Sequence, residues 1–150
     1  MSIYIEEANL EALNQITVLF NQYMIFYGQA SNPNKYRDYL KARLEKQQAD
    51  IFMAYDEHQT ALGFVLNYTS FSSVSLGKII VLNDLFVMPQ HRQKGVAKAL
   101  IQKVKAFALE QGAIRVDLST AKDNYNAQAL YEQIGFKQGT AFFNYSLKLN

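Results

Sequence analysis

The stretch Ile79-Ile-Val-Leu-Asn-Asp-Leu-Phe-Val87, followed by Met88-Pro-Gln-His-Arg92-Gln-Lys-Gly95-Val-Ala97-Lys98, decides how the chain folds. Its first part is apolar and rich in β-branched residues, broken only by Asn83 and Asp84, which predicts a strand buried on both faces. Pro89 ends the strand, because proline has no N–H for a ladder hydrogen bond. A short polar loop with Gly95 follows, and then Val96, Leu100, Val104, Phe107 and Ala108 recur at helical spacing. Such a strand-turn-helix aims free backbone N–H groups and the positive end of a helix dipole at one spot, where Arg92, Lys94 and Lys98 add charge. An anionic phosphate group fits there; a purely structural glycine turn is the other reading of the same residues.

Downstream, the helix ends at Gln111-Gly112, with glycine in the left-handed capping position. Ile114, Val116 and Leu118 then alternate with Arg115, Asp117 and Ser119, so residues 113–119 form a strand and the unit is a right-handed parallel crossover. Asn124 can cap a helix whose inner face is Ala127, Leu130, Tyr131 and Ile134, closed by Gly135. Residues 136–149 finish as one or two strands, Phe142 to Leu149 being the clearer.

Upstream, residues 3–7 make a first strand, and Asn9 caps a helix with Leu13, Ile16, Thr17, Phe20, Met24 and Tyr27 on one face, stopping near Gly28. Tyr23, Phe26 and Tyr27 crowd its far end, as core aromatics or as the lining of a pocket. Pro33 opens a second helix with Tyr36, Leu40 and Leu44 inward and Lys35, Lys41, Arg43 and Lys46 mostly facing water. Asp50 to Tyr55 and Thr60 to Tyr68 read as a hairpin, and residues 71–77 as a loop or irregular hairpin. No repeat or linker interrupts the chain, so residues 1–150 are expected to be one domain.

With 49% hydrophobic and 19% charged residues, the composition is that of an ordinary globular protein. The absence of cysteine excludes disulfides, thiolate metal sites and a cysteine nucleophile. His58 and His91 are isolated and not at metal-ligand spacing, so both are read as solvated and no metal is expected. No apolar run reaches membrane-spanning length, and Glu6 and Glu7 stand where a signal peptide carries bases. The expectation is a cytoplasmic protein with no membrane partner. A net charge of +2 argues against general nucleic-acid binding and suits one polyanionic cofactor.

Arg92-Gln-Lys-Gly95-Val-Ala97 fits the pattern Arg/Gln-x-x-Gly-x-Gly/Ala, and Asn124-x-x-Ala127-x-x-Leu130-Tyr131-x-x-x-Gly135-Phe136 follows it across the crossover. On these two motifs the chain resembles the GCN5-related N-acetyltransferase (GNAT) family, closely in its second half and by order of elements in its first. The resemblance implies an α/β (α+β) fold with a mixed central sheet of six to seven strands, a β-α-β parallel crossover and about four helices. It implies acetyl-coenzyme A as cofactor, its pyrophosphate held by Arg92, Gln93, Lys94, Gly95, Val96, Ala97 and Lys98. It also implies a splayed sheet that frees backbone groups of Leu85, Phe86 and Val87 for the pantetheine arm, with an N–H near Val87 facing the thioester oxygen. Asn124 is a cofactor contact or simply the helix cap.

Acyl transfer to an amine also needs a proton for the departing thiolate. A thiol near pKa 8.5 and a phenol near 10 make Tyr131, which the family pattern puts in that role, a workable donor; a core tyrosine is the bland alternative. The incoming alkylamine, protonated near neutrality, must lose a proton. Asn83 and Asp84, adjacent in a strand, are expected to point to opposite faces. The segment Leu82 to Val87 looks like the corresponding strand of polyamine acetyltransferases, where a glutamate often precedes the aspartate; Asn83 in its place puts a polyamine substrate in doubt. Asp84 remains for water-mediated deprotonation, for holding the amine, or as a structural hydrogen-bond partner. Tyr23, Phe26, Tyr27 and Asn83 are the candidate substrate contacts. The leading expectation is an N-acetyltransferase of a small primary amine such as a polyamine or amino acid; a protein acetyltransferase and a non-catalytic acyl-coenzyme A sensor are the competing readings. The resemblance also implies a homodimer.

Overall fold

The structure is a computed structural model that describes residues 1–150. The chain divides into two compact units, Met1–Ser119 and Thr120–Asn150. In the first unit, strands β1 (Tyr4–Glu7), β2 (Asp50–Tyr55), β3 (Ala61–Ser72), β4 (Gly77–Val87) and β5 (Arg115–Asp117) combine with helices α1 (Leu13–Phe26), α2 (Pro33–Glu45) and α3 (Val96–Glu110). They build one mixed sheet in the order β1-β2-β3-β4-β5, antiparallel as far as β4 and parallel between β4 and β5. The expected α+β class and the β-α-β crossover through α3 are present.

Helices cover both faces of the sheet, which is why β2, β3 and β4 read as nearly unbroken apolar runs. Residues alternate between faces along a strand. Ile51, Met53, Phe64, Leu66 and Phe86 join Leu13, Ile16, Phe20, Tyr36 and Leu40 of α1 and α2 in one core. On the other face α3 buries Val96, Leu100, Ile101, Val104 and Ala108. There the Phe107 ring meets Phe52 at 5.3 Å. Local signals fix the connections. Asn9 Oδ1 accepts from the Glu11 N–H at 2.9 Å, but caps a 3-10 turn at Leu10–Ala12 that precedes α1. Asn32 Oδ1 accepts from the Lys35 N–H at 3.3 Å, with Pro33 in the first position of α2. In the β2–β3 turn Asp56 accepts from the N–H groups of Thr60 and His58, bonds that hold its carboxyl below the usual range. The segment read as a loop or irregular hairpin is a hairpin, its strands reaching Ser72 and resuming at Gly77.

Two features of β4 shape the candidate site. The β4–β5 ladder covers only Ile79–Val81 opposite Arg115–Asp117, so from Leu82 onward β4 has β3 as its single strand neighbour. The β3–β4 register also slips: Leu66 faces Asp84 while Asn67 faces Leu82, leaving Asn83 as the extra residue of a β-bulge. Asn67, wholly buried beside the slip, donates its Nδ2 to the Asp50 carbonyl at 3.0 Å.

The second unit contains α4 (Tyr125–Ile134), capped by Asn124 and closed by Gly135. The strands expected over residues 136–149 are not formed, which reduces the count from the expected six to seven to five. Phe142, Phe143, Tyr145, Leu147 and Leu149 are 85–92% exposed. Alternation makes a segment fit for a strand, but a strand also requires a ladder partner, and this one pairs with none.

Gly63 stands opposite Val87, and a Cβ placed on it would lie 2.5 Å from the Phe86 carbonyl oxygen and 3.1 Å from Val87 Cα. Gly63→Ala is therefore expected to destabilise the protein by about 2 kcal/mol in urea denaturation. Gly139→Ala, with nothing near its Cβ, should shift stability by less than about 0.5 kcal/mol.

Candidate functional site

After β4, Pro89–His91 form a 3-10 turn, and the backbone then takes positive φ at Gln93 (60°) and Gly95 (83°) before α3 starts. Gly95 is required by that angle rather than by crowding, since a Cβ there would meet nothing within 4 Å. No side chain caps α3. The N–H groups of Val96, Ala97 and Lys98 therefore have no intrahelical partner, while the Val96 side chain is buried in the core.

The basic residues divide their work. Arg92 Nε donates to the Val87 carbonyl at 2.9 Å, and its guanidinium lies over the rings of Phe26 at 5.0 Å and Phe86 at 5.5 Å. Arg92 thus ties the loop to the end of β4 and to the end of α1. Lys94 Nζ donates to the Gln90 carbonyl at 3.3 Å, and Lys98 sits in the first turn of α3. His91, expected to be solvated, is half-buried at the end of the 3-10 turn, with a buried Nδ1 that has no partner.

The Met88 N–H donates to the Leu62 carbonyl at 2.9 Å. Backbone polar groups alternate direction along a strand, so those of Phe86 also face β3, and those of Leu85 and Val87 face the opposite side, where β5 has ended. The Val87 carbonyl on that side is taken by Arg92; its N–H and both groups of Leu85 remain available there. Phe86 contributes instead through its ring, which packs 5.9 Å from that of Tyr23.

A cleft of about 340 Å³ opens between α1, α2 and β4, and both Asn83 and Asp84 line it. Strict alternation predicts opposite faces for these neighbours; the bulge at Asn83 overturns that. Tyr23 Oη donates to Asp84 Oδ1 at 2.7 Å and Asn83 Nδ2 to Oδ2 at 3.0 Å, so neutral donors fix both carboxylate oxygens. Among the helix-end aromatics, Tyr23 reaches Asp84. Tyr27 packs edge-on against Tyr23 at 4.9 Å, Phe26 lies under Arg92, and neither lines the cleft.

Tyr39, Tyr68 and Lys35 are among the cleft residues that escaped the sequence reading. Tyr39 and Tyr68 share a hydroxyl–hydroxyl hydrogen bond of 2.7 Å, with the Arg43 guanidinium 4.6 Å over the Tyr39 ring. Burial, then the Tyr39 hydroxyl and the charge of Asp84, push Tyr68 well above the usual phenol range, so it stays protonated. Parity along β3 was the available signal, since Phe64, Leu66 and Tyr68 alternate onto the face covered by α1 and α2. Lys35 is exposed, as expected, and also borders the cleft from the first turn of α2, where its N–H is held by the Asn32 cap.

In the second unit, Asn124 Oδ1 accepts from the Ala127 N–H at 3.2 Å, the cap of α4. Tyr131 lies half-buried on α4, its ring 5.8 Å from that of Phe136. No helix of the chain is long and apolar enough to cross a membrane.

The sequence model of the acetyltransferase (GNAT) family matches residues 13–136. A Bacillus subtilis (strain 168) relative named "Uncharacterized N-acetyltransferase YhfO" is 41% identical over 145 residues, covering 97% of each chain. A "Probable acetyltransferase" of Haemophilus influenzae is 33% identical over 132 residues, covering 88% of this chain and 86% of its own. A crystal structure of a probable acetyltransferase superposes with a TM-score of 0.92 at 40% identity over 98% of both chains.

Arg92→Lys keeps the charge but loses the Nε bond and the planar face over two rings, and should destabilise the protein by about 1–2 kcal/mol in chemical denaturation. An unchanged midpoint would mean that only the charge matters at this position.

Proposed function

Because the chain belongs to the acetyltransferase (GNAT) family, whose acyl donor is acetyl-coenzyme A, we propose that this N-acetyltransferase passes acetyl directly to a primary amine of a small molecule seated at Asp84. The observation that carries this reading is the Asp84 carboxylate, fixed by Tyr23 and Asn83 on the wall of a small cleft in the same strand that loses its neighbour after Val81. A cavity of that size with a few convergent polar groups suits a small acceptor. Residues 1–150 act as one acetyltransferase domain, a reading supported by a family match that runs through both compact units.

The residues present fit the coenzyme. An uncapped helix start and a glycine with open space beside it offer N–H groups to a diphosphate, with Gln93, Lys94, Gly95, Val96, Ala97 and Lys98 as its seat and Arg92 holding the loop in shape. The open side of β4 offers both main-chain groups of Leu85 to an extended amide-bearing arm and leaves the Val87 N–H beside them. Asn124 serves first as the cap of α4 and is the remaining candidate contact. When bound, acetyl-coenzyme A supplies an activated acetyl thioester.

This chain's residues then have three tasks. The Val87 N–H, fixed in β4, is a preorganised donor for negative charge developing on an acyl oxygen. Asp84 holds the acceptor ammonium and takes its proton through water. Asn83 cannot share that work, because an amide accepts hydrogen bonds but not a proton at neutral pH. Tyr131 carries the proton required by the departing thiolate, an assignment supported by the motif from Asn124 to Phe136.

Thiol release from acetyl-coenzyme A across a panel of amines, amino acids and acetylatable peptides tests the reading. Release with small primary amines is expected, and release only with peptides would replace the small-molecule acceptor with a protein one. Tyr131→Phe should fold, keep coenzyme affinity and lose on the order of 10²-fold in turnover. Unchanged turnover would remove Tyr131 from the mechanism.

A further inference from the structure

The cleft carries one acidic and one basic side chain. Asp84 is on β4 with both oxygens engaged by neutral donors, and Lys35 is in the first turn of α2 with its backbone pinned by the Asn32 cap. They do not neutralise each other: the structure's ion pair is Arg115 with Asp117. Phe20, Met24 and Tyr36 line the same cleft and add no charge. A cation alone would satisfy Asp84 and meet a like charge at Lys35, whereas an anion alone would do the reverse.

We infer that the acceptor is a small zwitterion, an aminocarboxylate that presents its reacting amine to Asp84 and its carboxylate to Lys35, which makes Lys35 a specificity-determining residue. The inference rests on the transferase reading for the fate of the amine but not for the shape of the site. Two opposed charges in one cleft select by attraction and repulsion together. An amine lacking the carboxylate forfeits a charge-assisted contact, and a diamine puts a second ammonium against the lysine. Lysine rather than arginine at that end suits a carboxylate held as a point charge on a flexible stem.

The test compares aminocaproate with hexylamine and hexamethylenediamine, and L-lysine with cadaverine, on the full chain. Binding is read first without coenzyme, by thermal shift and by fluorescence of the protein's tyrosines, which no tryptophan obscures. The aminocarboxylates should bind about tenfold or more tighter than their amine and diamine counterparts. Lys35→Met should weaken them by about tenfold, chiefly in KM when turnover is followed. Lys35→Arg should retain them, and Lys35→Glu should favour the diamines. Diamines bound as tightly as aminocarboxylates, no binding of any aminocarboxylate, or an unchanged aminocarboxylate affinity in Lys35→Met would each overturn the inference. Selective aminocarboxylate binding without thiol release would instead overturn the transferase reading and leave the cleft assignment standing.

Discussion

Strand β4 has hydrogen-bonding neighbours on both sides over Ile79–Val81 and on one side only from Leu82 to Val87. A strand with a free side inside a fold is a template for whatever extended chain reaches it, because each unpaired N–H and C=O seeks a partner. Here the alternation fixed by the Met88 bond to Leu62 turns Leu85 and Val87 to that side and Phe86 away from it. Arg92 consumes the Val87 carbonyl and, with the same guanidinium, covers Phe26 and Phe86. One side chain thus couples the loop before α3, the end of the open strand and the aromatic end of α1.

The second constraint is the bulge at Asn83. A regular strand could show the cleft only one of two adjacent side chains; the extra residue shows it both, and Asn83 then serves as a donor to Asp84 rather than as a group of its own. The same slip lies beside Asn67, a buried amide whose Nδ2 bond to Asp50 ties β2 to β3 at this level. Placing a carboxylate in a partly buried site is costly unless its oxygens are satisfied, and Tyr23 with Asn83 satisfies them. The ring of Tyr23 reaches Asp84 while packed among Phe20, Phe64 and Phe86, so the core that stabilises α1 also orients the site.

The loop and its helix were legible because their signals are local: a proline, a glycine that takes positive φ, and a period of apolar residues. The two motifs carried the family, which composition and spacing alone could not name. What stayed hidden depends on register. A bulge leaves no mark in the run Leu82 to Val87, so Asn83 and Asp84 read as opposed. The length of the β4–β5 ladder is set by where two strands part, and the alternation over residues 113–119 predicts a longer strand than Arg115–Asp117. Tyr39, Tyr68 and Lys35 line the same cleft as Asp84 from α2 and β3, a meeting fixed by tertiary packing. The tail from Phe142 to Leu149 has the pattern of a strand without a pairing partner, and no period in a sequence reports a partner.

The most direct measurement is amide hydrogen exchange, residue by residue, with and without acetyl-coenzyme A. If the open side of β4 receives the coenzyme, the Leu85 and Val87 amides should exchange freely in the unliganded protein and slow by about tenfold or more at saturation. The Phe86 amide, already bonded to β3, should be protected in both states. Protection of Leu85 and Val87 that does not change on saturation with coenzyme would contradict the account.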